Sequence, residues 1–138
     1  MRDHPWLGLL LALSAASCAR APDRPLVWPV KGRVLYEGRP AAGAVVILHT
    51  TDEAAKAIRP HGRADANGEF ELTTYVAGDG APAAAYVVTV EWKRAEDHPE
   101  QGLDLLPPVY SDPNASRLKV TVAPGPNEPL VLPLTARP

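Results

Sequence analysis

The sequence predicts an all-β domain: a two-sheet Greek-key sandwich of short antiparallel strands, behind an N-terminal export signal. Three observations lead there. Proline makes up 16 of 138 residues, about 12% against a usual ~5%. Each interior proline costs a helix ~3 kcal/mol, so a helical bundle is excluded. Apolar residues alternate with polar ones in short runs, and turn residues interrupt the chain every eight to twelve positions. The hydrophobic fraction of 46% is too high for a disordered chain. With 14 basic and 16 acidic residues the formal net charge is -2, so the chain lacks the basic excess that nucleic-acid binding requires.

Residues 1–17 read as a signal peptide. Arg2 supplies the positive start, and Trp6–Ala16 is apolar or small. That run falls well short of the ~20 residues needed to span a bilayer but suits a signal core. It ends in Ala15-Ala16-Ser17-Cys18. This resembles the lipobox of bacterial lipoproteins, with Ala15 where leucine is usual. The resemblance implies lipidation of Cys18. An ordinary secretory signal would cleave after Ala19-Arg20-Ala21, where the following Pro22 hinders the peptidase. Cys18 is the single cysteine, so no internal disulfide supports the exported domain. Residues 18–28 form the lipidated cysteine and a proline-rich, extended tether. Ala19, and not aspartate, follows the cysteine, which resembles outer-membrane sorting. The expected location is the cell envelope, anchored by lipid at the outer membrane or the periplasmic face.

Residues 29–138 form the sandwich. Val30–Glu37 places Val30, Val34 and Tyr36 on one face and Lys31, Arg33 and Glu37 on the other. Gly38-Arg39-Pro40 ends it. Ala44–Thr50 is more uniformly apolar, as a central strand would be. Asp52–Arg59 offers one turn of helix, capped by Asp52, or an irregular connection. Ile58–Ala66 is a weaker strand, supported by the Asp65-Ala66-Asn67-Gly68 hairpin turn that follows. Glu69–Tyr75 points Phe70, Leu72 and Thr74 one way and Glu69, Glu71 and Thr73 the other. After the break at Gly78-Asp79-Gly80, Ala85–Lys93 sets Tyr86, Val88, Val90 and Trp92 inward and Thr89, Glu91 and Lys93 outward. Residues 94–116 form the longest irregular stretch. Arg117–Ala123 and then Leu130, Leu132 and Leu134 complete seven strands, with Pro129 and Pro133 placing the last at a sheet edge.

Several of these segments resemble transthyretin-like, carboxypeptidase-regulatory-like domains. They are Val30-Lys31-Gly32-Arg33-Val34, Gly43-Ala44-Val45-Val46, Asp65-Ala66-Asn67-Gly68-Glu69-Phe70-Glu71-Leu72 and Tyr86-Val87-Val88-Thr89-Val90. Gly78-Asp79-Gly80-Ala81-Pro82 and Tyr110-Ser111-Asp112-Pro113 resemble the subset found as small bacterial lipoproteins. The resemblance implies a sandwich of seven or eight strands and does not imply catalysis. The enzymatic branch of this fold, the hydroxyisourate hydrolases, closes with Tyr-Arg-Gly-Ser, whereas this chain ends Leu-Thr-Ala-Arg-Pro.

No catalytic, cofactor or metal site is expected from the residues. His49 and His61 could meet across paired strands, with Asp65 as a third ligand. Two solvated strand-end histidines are the simpler expectation, since no zinc-ligand spacing is present. Ser111 and Ser116 lie in a proline-rich loop without a nucleophile elbow. Asp79, Asp104, Asp112 and Asn114 offer oxygens, but Asp79 and Asp112 suit backbone-bonding turn roles better than calcium ligation. Trp28, Trp92 and Tyr110 could form a sugar platform, although the parity of Trp92 favours the core. The expected role is a structural or interaction module, with a carbohydrate- or polymer-binding module as the alternative. Its partners would be the membrane, through the anchor, and an envelope protein or polymer. The candidate contact residues are Leu103, Leu105, Leu106, Val109 and Tyr110, in a loop mixing leucines, prolines and charge. The competing expectation is that Leu105, Leu106 and Tyr110 fold back to cap an open end of the sandwich.

Overall fold

The computed structural model describes residues 24–93 and 103–138. The expected signal peptide, Cys18 and residues 94–102 of the long irregular stretch, with its charged Arg94, Glu96, Asp97 and Glu100, lie outside the described residues. The elements are β1 (Val27–Trp28), β2 (Lys31–Tyr36), β3 (Arg39–Pro40), β4 (Val45–Thr50), β5 (His61–Arg63), β6 (Glu69–Glu71), β7 (Ala81–Pro82), β8 (Ala84–Glu91), β9 (Lys119–Val122) and β10 (Leu130–Leu134). Two 3-10 turns, Glu53–Ala55 and Pro108–Tyr110, are the helical elements among the described residues. The fold is all-β. Seven of the strands exceed two residues, and they coincide with the seven that alternation predicts.

Two four-stranded sheets carry the fold. In one, β10 lies along one side of β2, while β3 and β6 lie end to end along the other. In the second the order is β5-β4-β8-β9, so β4 is central as its apolar run implies. The short pair β1-β7 stands apart. One apolar core serves both sheets: Val34, Phe70, Leu132 and Leu134 from the first meet Val46, Leu48, Val88 and Val90 from the second. Alternation supplies these side chains, because successive residues of a strand face opposite sides.

Three expectations are corrected. The first concerns β10, which pairs parallel to β2, with Leu130 opposite Gly32 and Leu134 opposite Tyr36. The turn at Pro124–Asn127 does not fold the chain back beside β9. It carries the chain from the edge of one sheet to the edge of the other. Pro133 lacks an N–H and sits on an edge strand, as predicted.

The second correction concerns the Asn67-Gly68 hairpin. The turn forms: Gly68 N–H donates to Asp65 O at 2.9 Å, and the Asp65 carboxylate accepts from Asn67 and Glu69 N–H. Its arms then divide between the sheets, β5 pairing with β4 and β6 with β2. They stay joined through Asp65–Glu69 and through the reciprocal bonds of His61 and Thr73. The hairpin is therefore a corner that clamps one sheet to the other. Gly62 permits it, since a Cβ there would lie 2.6 Å from Glu71 O.

The third correction is that Glu69–Tyr75 is a strand only over Glu69–Glu71. The helical turn expected over Asp52–Arg59 shortens to Glu53–Ala55, with the predicted cap: Asp52 Oδ1 accepts from Ala54 N–H at 3.0 Å.

Candidate functional site

The segment 103–116 begins where β8 ends. Asp104 bridges to Lys93, and its Oδ1 accepts from the N–H groups of Trp92 and Leu106, both at 3.0 Å. One carboxylate thereby fixes the direction in which the following leucines leave the sheet. Leu106 turns inward and is 5% exposed, while Leu103 is 85% exposed and Leu105 also faces solvent. The 3-10 turn Pro108–Tyr110 then places Tyr110 in the core, 6% exposed, with its hydroxyl accepting from Thr135 N–H at 2.9 Å. Val109 is half-buried against the same core. Asp112 accepts from Asn114 N–H, and the Ser116 hydroxyl donates to Val88 O. The segment thus ties the end of β10 to β8 and covers the side of the sandwich between them.

The five candidate contact residues accordingly divide. Leu106 and Tyr110 belong to the core and cap the sandwich, because Asp104 and Thr135 hold them there. Leu103 and Leu105 stay on the surface at the β8 terminus. The proposed cap is right for Leu106 and Tyr110 and wrong for Leu105.

The aromatic platform is not assembled. Trp28 pairs in register with Ala81, beside the start of β8, whereas Trp92 follows its end. Trp92 donates its indole N–H to Ala42 O at 2.8 Å and packs edge-on against Tyr36, ring centroids 5.6 Å apart. Tyr110 is enclosed.

The histidines also separate. His61 stands opposite Ile47, not His49. His49 Nε2 lies 2.8 Å from Thr89 Oγ1, diagonally across the outer face of β4 and β8. This contact explains why Thr89, on the outward parity, is only 3% exposed. It also replaces the expected solvated histidine with a half-buried one. Burial pushes the His49 imidazole below its ordinary pKa, and the Arg59 guanidinium adds to the shift. Arg59, Lys56 and Asn114 line a recess of about 370 Å³ beside it. Among the described residues no group of three or more His, Cys, Asp or Glu side chains could hold a metal ion.

A second organised loop, Thr73–Gly80, was read from the sequence only as a strand end and a break. Asp79 is its centre. Its carboxylate accepts from the N–H groups of Thr74 at 2.7 Å and of Tyr75 and Val76 at 3.0 Å. Partial burial pushes the Asp79 carboxyl up, but the Thr74, Val76 and Tyr75 amides together outweigh it and hold the pKa below the usual value. Thr73 Oγ1 accepts from Gly78 N–H, and Thr74 Oγ1 donates to Gly80 O. The side chains of Tyr75 and Val76 project from this fixed turn into solvent. The Arg24 guanidinium lies 5.4 Å from the Tyr75 ring centroid.

Among the described residues, exposed apolar side chains gather at opposite ends of β8: Leu26, Tyr75 and Val76 near its start, and Leu103 and Leu105 beyond its end. At ~3.3 Å per residue, β8 separates the ends by roughly 25 Å. Among the described residues no helix is long and apolar enough to cross a membrane. Comparison with known families, characterised proteins and solved structures finds no match to this chain.

Proposed function

We propose that this protein is a non-enzymatic, lipid-anchored interaction module of the cell envelope, with a transthyretin-like sandwich as its rigid body. The observation that carries the reading is the placement of Leu103 and Leu105. They are exposed on a segment pinned by Asp104, at the end of the domain opposite the point where the chain enters at Arg24. A chain tethered through Cys18 would hold that end away from the membrane, toward an envelope protein or polymer. Loops on a rigid scaffold are where binding residues concentrate.

The non-enzymatic part rests on how the reactive groups are engaged. His49 Nε2 bonds Thr89, whose hydroxyl is enclosed, while the Ser111 and Ser116 hydroxyls donate to the carbonyls of Pro108 and Val88. None of these pairs an accessible nucleophile with a base. A sugar platform has less support, because its three aromatic residues are dispersed.

The test is a photo-crosslinking residue at position 103 in intact envelopes, compared with one at Val131, which is exposed elsewhere. The reading expects a discrete adduct from 103 that disappears on Leu105→Asp with the melting temperature unchanged. Equal adducts from both positions, or none from 103, would contradict it.

A further inference from the structure

We infer that Arg24, Leu26, Tyr75 and Val76 form a seat that rests on the lipid headgroups of the bilayer holding the anchor; the inference rests on the lipidation of Cys18. Isolated exposed apolar side chains are ordinary. These are grouped: Leu26 is 77% and Val76 69% exposed, and Arg24, two residues before Leu26, covers the ring of Tyr75 beside Val76. A tyrosine, two aliphatic side chains and a guanidinium match the membrane interface, where aromatic rings settle at headgroup level and a cation meets lipid phosphate.

Chain length identifies the occupant. Six residue steps separate Cys18 from Arg24. A fully extended chain spans at most ~3.6 Å per residue, so Arg24 lies within about 22 Å of a lipidated Cys18. The strands lead away from this end, since β2 and β8 both begin here and finish at Tyr36 and Glu91 beside Trp92. The exposed side chains nearest the attachment point are thus those of the seat. Presentation is also prepared in advance. Three amides on one carboxylate fix Thr74–Val76, so little freedom is lost when Tyr75 and Val76 make contact.

The experiment uses the full lipidated chain in vesicles of phosphatidylethanolamine and phosphatidylglycerol. Lipidation converts the Cys18 sulfur to a thioether, so Val76→Cys introduces a single free thiol for an environment-sensitive dye. Leu103→Cys supplies the far-end comparison. Intact mass establishes the lipid on Cys18 in both proteins. The seat predicts quenching by headgroup-region nitroxide lipid several-fold stronger at 76 than at 103, reduced toward the 103 level by Leu26→Asp. Equal, weak quenching at both positions on lipidated protein overturns the seat alone. Dye self-quenching at 76 without quenching by nitroxide lipid would assign the patch to a second copy and also overturn it. A mass without lipid overturns the anchor, and the seat with it.

Discussion

Leu106→Ala separates a capping segment from a surface loop. The side chain is 5% exposed and belongs to the common core. Truncating a buried leucine to alanine costs ~2–5 kcal/mol, depending on how far the surroundings close over the gap. Leu106 sits at the margin of the core, where some closure is available, but its amide is tied to Asp104, which also holds Trp92. That balance places the cost at about 2–3 kcal/mol, in the lower half of the range. For a domain of this size it corresponds to a loss of roughly 8–15 °C in melting temperature. Urea unfolding followed by tryptophan fluorescence reads the change directly, and an unaltered slope would locate it in stability alone. Leu103→Ala, three residues earlier and 85% exposed, is the internal control and should stay within about 0.5 kcal/mol of wild type. A loss below about 0.5 kcal/mol for Leu106→Ala, or equal losses for both variants, would refute the capping argument.

Two further predictions concern the turns. Gly68 has φ +76°, and a Cβ there would lie 2.5 Å from Val34 O. Gly68→Val should therefore cost at least ~2 kcal/mol, combining left-handed backbone strain with displacement of β2; calorimetry showing a loss near zero would place the corner clamp elsewhere. Because the Asp79 carboxyl has a lowered folded pKa, its contribution is present above the unfolded carboxylate value and is lost as pH falls through the folded one. Protection of the Thr74, Tyr75 and Val76 amides, taken against the intrinsic exchange rate at each pH, should fall on acidification below about pH 4, and Asp79→Asn should lower it already at neutral pH; equal protection in the variant would show that the carboxylate does not hold the loop.

Period-two alternation made the long strands legible. In β8 it assigned Tyr86, Val88 and Val90 to the core correctly. It also turned Thr89 outward correctly but held no sign of its burial, because cover there comes from His49 on the neighbouring strand, and a single strand's parity holds no information about its neighbour. The Asp65–Gly68 turn was legible from its residues, but the division of its arms was not: that depends on Gly62 allowing Glu71 to approach, a tertiary contact. The parallel course of β10 was hidden for a similar reason, since direction is set by the crossover between sheets and not by Leu130, Leu132 and Leu134. Thr73–Tyr75 read as strand because Thr and Tyr favour strands. Asp79 draws the Thr74, Tyr75 and Val76 amides out of any ladder, so the pattern continued where the strand stopped. In the 103–116 segment the leucines were visible as candidates, but their inward or outward direction depends on which amides Asp104 accepts from.

The anchor is the claim on which the interaction module and the seat both depend. Its most direct measurement is the mass of the N-terminal peptide of protein extracted from the membrane fraction of a bacterium that processes lipoproteins. The account predicts that Cys18 is the first residue and carries a diacylglyceryl thioether, and that Cys18→Ala yields no such peptide. A mature chain beginning at another residue, or a Cys18 bearing a free thiol, would contradict it.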